Sequence, residues 1–228
     1  MQQKNTVETV IILMVVYVIL QEKFQCTFGV KTGKKMLNKF FDNFLNKKTQ
    51  PKENVTTSLS SQLGLLSFDS FIMEIFGEPG SGKTTYIYSL IAELQRANKT
   101  CLLVDAEFNF DRERAIKLGM RLDECFLSTN NDLPIINKTL TALAGFIDYL
   151  FIDSLAALRY DMHFQDELSE TYDICKKNNI TIIFTNQMRQ APRKAKNSFG
   201  HKEIKFLTDI RIKMEKGIPT IIKNRMVT

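Results

Sequence analysis

The chain has 228 residues, the size of one large domain or of one domain with an extension, and its 44% hydrophobic residues, 25% charged residues and 5 prolines exclude a disordered or collagen-like protein. Four scattered cysteines (Cys26, Cys101, Cys125, Cys175), with only His163 and His201 to join them, signal neither a disulfide scaffold nor a zinc site and suit a reducing compartment, the cytoplasm. The net charge of +6 is uneven: residues 23–52 carry eight lysines against Asp42, residues 189–228 carry eleven basic against three acidic side chains, and the body between them is acidic. Local positive potential of this kind gathers phosphates, on nucleic acid or on membranes.

Residues 10–20 form an unbroken apolar run, about half of the roughly 20 residues that a helix needs to cross a bilayer. The run is rich in β-branched residues and lacks a small-x-small cleavage site, so it reads first as a buried strand or a segment that meets another subunit, with membrane association as the second reading and a cleaved signal peptide as the third. Met36, Leu37, Phe40, Phe41, Phe44 and Leu45 then recur at helical spacing among lysines, which predicts a basic amphipathic helix over 34–47. The polar stretch 48–61, with Pro51, reads as a linker, dividing an extension (1–54) from a core (55–228).

From Phe71 a short apolar strand, F-I-M-E-I-F, runs into Gly77-Glu78-Pro79-Gly80-Ser81-Gly82-Lys83-Thr84-Thr85, which contains the G-x-x-x-x-G-K-T pattern of a Walker A loop. By composition alone the pattern arises in roughly one chain per hundred of this length. Its glycines let backbone N–H groups converge on a β-phosphate, Lys83 reaches the β and γ oxygens, and the Thr84 hydroxyl is placed for Mg²⁺. Ile87, Leu90, Ile91 and Leu94 give residues 84–97 a helical stripe, so the loop lies between a strand and a helix.

Three further apolar strands end in polar residues suited to the same site. The strand at 100–104 leads to Asp105-Ala106-Glu107, where Glu107 is the candidate general base and Asp105 is expected to cap the next helix. The strand at 149–153 ends in Asp153, a Walker B carboxylate for the metal that Thr84 also binds. The strand at 180–184 is followed by Thr185-Asn186-Gln187, and Gln187 can hydrogen-bond a γ-phosphate and report its loss. With a strand near Cys125 and a hairpin of residues 208–214 and 218–223 turning around Gly217-Ile218-Pro219, the alternation predicts an α/β fold, a mostly parallel twisted sheet with helices on both faces and an antiparallel C-terminal edge.

These segments, G-E-P-G-S-G-K-T-T, V-D-A-E, D-S-L-A-A-L (153–158), F-T-N-Q-M-R (184–189), I-K-F (204–206) and I-I-K-N-R (221–225), stand in the order found in the bacterial RecA recombinases, and the chain resembles that family from about Val55 onward. The resemblance implies a RecA-like P-loop core that hydrolyses ATP with Mg²⁺ at subunit interfaces, assembles head to tail into a filament on single-stranded DNA, and acts in homologous recombination and DNA repair. It also implies a catalytic glutamate at Glu107 and a γ-phosphate sensor at Gln187. Lys223 and Arg225 match a pair of lysines that reach a neighbour's ATP, with arginine in place of the second. Arg114 stands where the family stacks a tyrosine on adenine, beside a retained Asp111, so base contact would pass to a guanidinium. The second DNA-binding loop is short and basic, with Arg189, Arg193, Lys194, Lys196, Lys202 and Lys205 suited to a phosphate backbone. About 25 residues separate Asp153-Ser154 from the next strand, so the family's first DNA-binding loop is missing. That departure keeps a second reading in play, a RecA-like regulatory ATPase of the RadB or KaiC kind that binds nucleotide and a protein partner without strand exchange.

Overall fold

The computed structural model describes residues 70–189, 197–198 and 207–226; the expected apolar segment, basic helix, linker and domain boundary lie outside them. In chain order the elements are β1 (Ile72–Gly77), α1 (Lys83–Arg96), β2 (Cys101–Asp105), α2 (Arg112–Lys117), β3 (Cys125–Ser128), α3 (Leu133–Leu143), β4 (Tyr149–Asp153), α4 (Phe164–Lys177), β5 (Thr181–Arg189), β6 (Asn197–Ser198), β7 (Ile210–Glu215) and β8 (Ile218–Asn224). The sheet runs β3-β2-β4-β5-β1-β7-β8, parallel as far as β7, with β8 antiparallel at the edge and β6 paired to the end of β5.

This order places the site. From β1 the chain passes over to β2 and β3 at one edge, and β4 and β5 then return to fill the gap beside β1. The carboxyl ends of β1, β2, β4 and β5 are thereby gathered where the strand order reverses, the crevice in which open α/β sheets hold ligands.

Both faces of the sheet are covered, which is why its strands read as near-continuous apolar runs. On one face Met73, Ile75, Leu103, Phe151, Ile183 and Ile212 pack against the α1 stripe of Ile87, Leu90, Ile91 and Leu94. Tyr86 and Tyr88 are buried as well, so α1 is enclosed on more of its circumference than its stripe predicts. The alternate strand residues face the opposite side, where α3 and α4 pack together. Asn137 of α3 joins them, donating to Glu167 O at 3.0 Å and accepting from Thr171 Oγ1 at 2.7 Å.

Two boundaries differ from expectation. β5 continues five residues beyond Phe184, because β1 pairs with it through Gly77↔Gln187 and β6 pairs at Met188↔Ser198 and Arg189↔Asn197. Gln187 therefore sits in a strand and not in the loop after it. The hairpin turns at Lys216 (φ 49°) and Gly217 (φ 82°), a two-residue loop with both centres left-handed, so Ile218 and Pro219 belong to β8. Pro219 has no amide to donate, which β8 tolerates as the edge strand of the described sheet.

Candidate nucleotide site

The phosphate loop begins at Gly77, where a Cβ would collide with Met214 O and Ser81 Oγ. Gly80 (φ 73°) and Gly82 (φ 95°) take left-handed conformations that side chains rarely adopt, and Gly82 caps α1 in that conformation. The result is a backbone cradle at a helix N-terminus, the arrangement that receives a phosphate group. Ser81 Oγ is buried and finds no hydrogen-bond partner among the described residues, an orphan donor at the same loop. The hairpin leans on the loop from the side, Gly217 N donating to Ser81 O at 3.0 Å.

Lys83 folds back over the cradle, its Nζ donating to Gly77 O at 3.1 Å and Glu78 O at 2.9 Å. Burial lowers its pKa, with Asp153 and Glu107 pulling the other way. An ammonium held against neutral carbonyls, with two carboxylates as its opposing charges, is poised to turn to incoming phosphate oxygens. Lys83→Ala should therefore abolish ATP binding. A ligand at 100 times its Kd stabilises a fold by about 2.7 kcal/mol, and thermal unfolding with saturating Mg²⁺ and ATP should show that shift in the parent and none in the variant.

At the end of β4, Asp153 is 5% exposed. Thr84 Oγ1 donates to its Oδ2 at 2.7 Å, and Thr185 Oγ1 donates to its Oδ1. No group of three or more His, Cys, Asp and Glu converges among the described residues. One hydroxyl and one carboxylate beside a phosphate cradle fit Mg²⁺, which is commonly held by one or two carboxylates together with substrate phosphates and water. The ion would neutralise charge on the β and γ oxygens.

Burial pushes the Asp153 carboxyl above the usual carboxylate range; the two threonine hydroxyls draw it partly back, and Glu107 and Asp105 add to the rise. A carboxyl raised on folding contributes stability that is complete below its unfolded pKa, about 3.9, and is lost as pH rises through the folded value. The metal-free protein should therefore lose stability as pH rises through that window. Asp153→Asn should raise the metal-free Tm at pH 8 while removing the stabilisation by Mg²⁺ and ATP. Unfolding over a pH series, with chelator or with Mg²⁺ and ATP, checks both signs; a lower metal-free Tm for the variant would contradict them.

Beside this corner, Glu107 Oε1 accepts from Ser154 Oγ at 2.6 Å and from Gln187 Nε2 at 3.4 Å, and Asn109 Nδ2 donates to Oε2 at 3.2 Å. The backbone amides of Ala106 and Glu107 donate to Asp153 O, at 2.8 and 3.3 Å, which ties the end of β2 to the end of β4. The fold thus assembles Lys83, Thr84, Glu107, Asp153 and Gln187 from four strand ends, a set able to bind a triphosphate and orient water for an in-line attack.

Asp105 does not cap the next helix. Its carboxylate accepts from the amides of Asn109 (3.2 Å) and Phe110 (2.9 Å), closing the turn after β2, and Asp111 caps α2 by accepting from Arg114 N at 2.9 Å. The two amides of the turn occupy the Asp105 carboxylate, and the capping falls to Asp111. Arg114, assigned to the base, is exposed on α2.

Ser154, Thr185 and Asn186 carry no role that the sequence alone reveals, although Ser154 adjoins Asp153 and Asn186 adjoins Gln187. Glu74 is the clearest missed signal, a lone acid inside an apolar strand; it is fully buried and pairs with Arg211 (Nε–Oε2 2.5 Å).

Lys223, on β8, and Arg225, just after it, stand beside the first residues of β7, whereas the phosphate loop starts beside Met214 near its end. Lys223 is opposite Arg211 and donates to Thr208 O, and Arg225 N donates to Asp209 O at 3.0 Å. Asp209 in turn accepts from Ile72 N at 3.0 Å, at the amino end of β1. Of the basic loop, Arg189 is described in backbone only, and Arg193, Lys194, Lys196, Lys202 and Lys205 lie outside the described residues. The connection from Asp153 to α4 is short, a 3-10 turn (Leu155–Ala157) and seven more residues.

Comparison with known proteins agrees with this arrangement. The model of the RecA N-terminal domain matches residues 31–227. Two curated relatives described as Protein RecA, from Porphyromonas gingivalis strains ATCC 33277 and W83, are each 31% identical over 175 aligned residues, covering 65% of this chain and 50% of theirs. The chain therefore spans about half the length of the curated relatives it matches. A family match over most of the chain, on a sheet whose strand ends converge beside a Walker A loop, shows that this protein belongs to the RecA family.

Proposed function

We propose that the chain is a Mg²⁺-dependent ATPase stimulated by single-stranded DNA, acting in homologous recombination and repair. The observation that carries this reading is the joining of Glu107 to Gln187 and Ser154 beside the Thr84–Asp153 pair: a water-orienting carboxylate, a candidate γ-phosphate sensor and a metal corner within one hydrogen-bonded set. Gln187 precedes Arg189 and the basic loop on the same segment, a direct chain connection through which a change at the γ-phosphate would reach the residues proposed for DNA.

In this reading Lys83 and the loop amides bind the phosphates, Asp153 and Thr84 hold the metal, and Glu107 accepts the proton of the attacking water, with Gln187 set against the γ-phosphate. Steady-state ATP turnover, with and without single-stranded DNA, is the direct test. Clear stimulation supports the recombinase reading, and turnover indifferent to DNA favours the regulatory one. The short connection from Asp153 to α4 is the observation behind that second reading, since it leaves little chain for a first DNA-binding loop.

Neutralising Arg189, Arg193, Lys194 and Lys196 together should weaken single-strand binding and spare ATP binding. Each phosphate that the variant no longer neutralises should flatten the slope of log K against log salt by about 0.7. Filter binding across a salt series reads the slope; an unchanged slope would place the phosphate-binding cations elsewhere, the basic stretch 34–47 being the next candidate.

A further inference from the structure

Glu74, Asn186 and Arg211 form a buried polar cluster that the proposed chemistry does not use. Glu74 and Asn186 are fully buried on the neighbouring strands β1 and β5, and Arg211, 4% exposed, lies across from Glu74 on β7. Asn186 Nδ2 donates to Glu74 Oε1 at 2.9 Å, and Arg211 Nε donates to Glu74 Oε2 at 2.5 Å. The Arg211 guanidinium also sits 4.7 Å from the centre of the Phe76 ring, one residue before the phosphate loop. With its Nδ2 committed to Glu74, Asn186 presents its Oδ1 to the backbone amide of Gln187, which donates to it at 3.0 Å.

A buried ion pair is a poor source of stability, since apolar residues of similar volume often serve as well or better, so its presence among mainly apolar buried strand residues calls for a role in geometry. The cluster has one at hand. Glu74 fixes which way the Asn186 amide points, Asn186 fixes the Gln187 backbone, and the Gln187 side chain reaches Glu107 at 3.4 Å. We propose that Asn186 and Glu74, held by Arg211, are positioning residues that set Gln187 for the γ-phosphate and so determine how strongly the site prefers ATP to ADP. This inference rests on the proposed ATPase reading, in which Gln187 faces the γ-phosphate.

The test uses the full chain with single-stranded DNA, comparing Asn186→Ala, Gln187→Ala and the double variant for kcat and for affinity toward ADP and a non-hydrolysable ATP analogue. Misplacing a reacting-site group by about 1 Å can cost on the order of 10²-fold. Asn186→Ala should lower kcat by about that factor and reduce the preference for the ATP analogue over ADP to the level of Gln187→Ala. ADP affinity should stay near the parental value, and the double variant should be no worse than Gln187→Ala alone, the non-additivity of groups acting as a unit.

Glu74→Met/Arg211→Met provides a second route, because it replaces the ion pair with apolar volume and leaves Asn186 without its acceptor. It should lose the same ATP preference while unfolding near the parental midpoint. If Asn186→Ala keeps the parental preference while Gln187→Ala loses it, the positioning role is overturned and the ATPase reading stands. Fully additive losses overturn it likewise. If Gln187→Ala itself leaves kcat and preference unchanged, the assignment of Gln187 falls, and this inference with it.

Discussion

Glu107→Gln is expected to leave ATP binding at the parental level and to slow turnover by about 10²- to 10⁴-fold, the usual worth of a positioned general base. The variant isolates the base because it barely disturbs the local bonding. A glutamine carbonyl in place of Glu107 Oε1 still accepts from Ser154 Oγ and Gln187 Nε2, and only the approach of Asn109 Nδ2 to Oε2 becomes donor against donor. That last bond is long and exposed, so giving it up costs little in the fold. Single-turnover hydrolysis, alongside nucleotide-dependent thermal unfolding, separates the two effects. Parental turnover in the glutamine variant would show that Glu107 only braces the end of β4 through Ser154, and the water-orienting role would have to move to another group.

The phosphate loop, the parallel strands and the candidate residues at their ends are legible in the sequence because each is a local pattern. A Walker loop fixes its own glycines and lysine within eight positions, and a strand buried on both faces is a short apolar run whatever lies beside it. Pairings across distant sequence are not legible. Nothing local tells that Glu74 meets Arg211, 137 positions away, or that Thr185 donates to Asp153, because these bonds follow from the strand order β4-β5-β1-β7. A charge inside an apolar strand signals that a partner exists without naming it. The role of Asp105 is misread from sequence for a related reason: an aspartate shortly before a helix is a plausible cap, and only the turn geometry, with the Asn109 and Phe110 amides folded back onto Asp105, leaves the capping to Asp111.

The geometry of Lys223 and Arg225 leads to the expectation of largest consequence for assembly. Through Asp209 and Arg211 these residues are tied to the amino end of β1 and the first half of β7, whereas the phosphate loop begins at the carboxyl end of β1. Lys223 stands at the register of Arg211 and Glu74, three residues short of Gly77, so at about 3.3 Å per residue roughly 10 Å of strand separates it from the start of the loop, and its Nζ turns the other way, to Thr208 O. If they serve catalysis, they serve a neighbour's ATP, as cations delivered in trans do when they stabilise charge on a transferring phosphoryl group by 10³- to 10⁵-fold. Turnover should then rise steeply with protein concentration, and Lys223→Ala should be slow on its own. Mixing it with equal Glu107→Gln subunits should restore turnover to about a quarter of parental, because in a random head-to-tail assembly that fraction of interfaces joins an intact Glu107 to an intact Lys223. Mixing that yields no recovery, together with monomeric sedimentation in the presence of ATP and single-stranded DNA, would reject catalysis in trans and favour the regulatory reading.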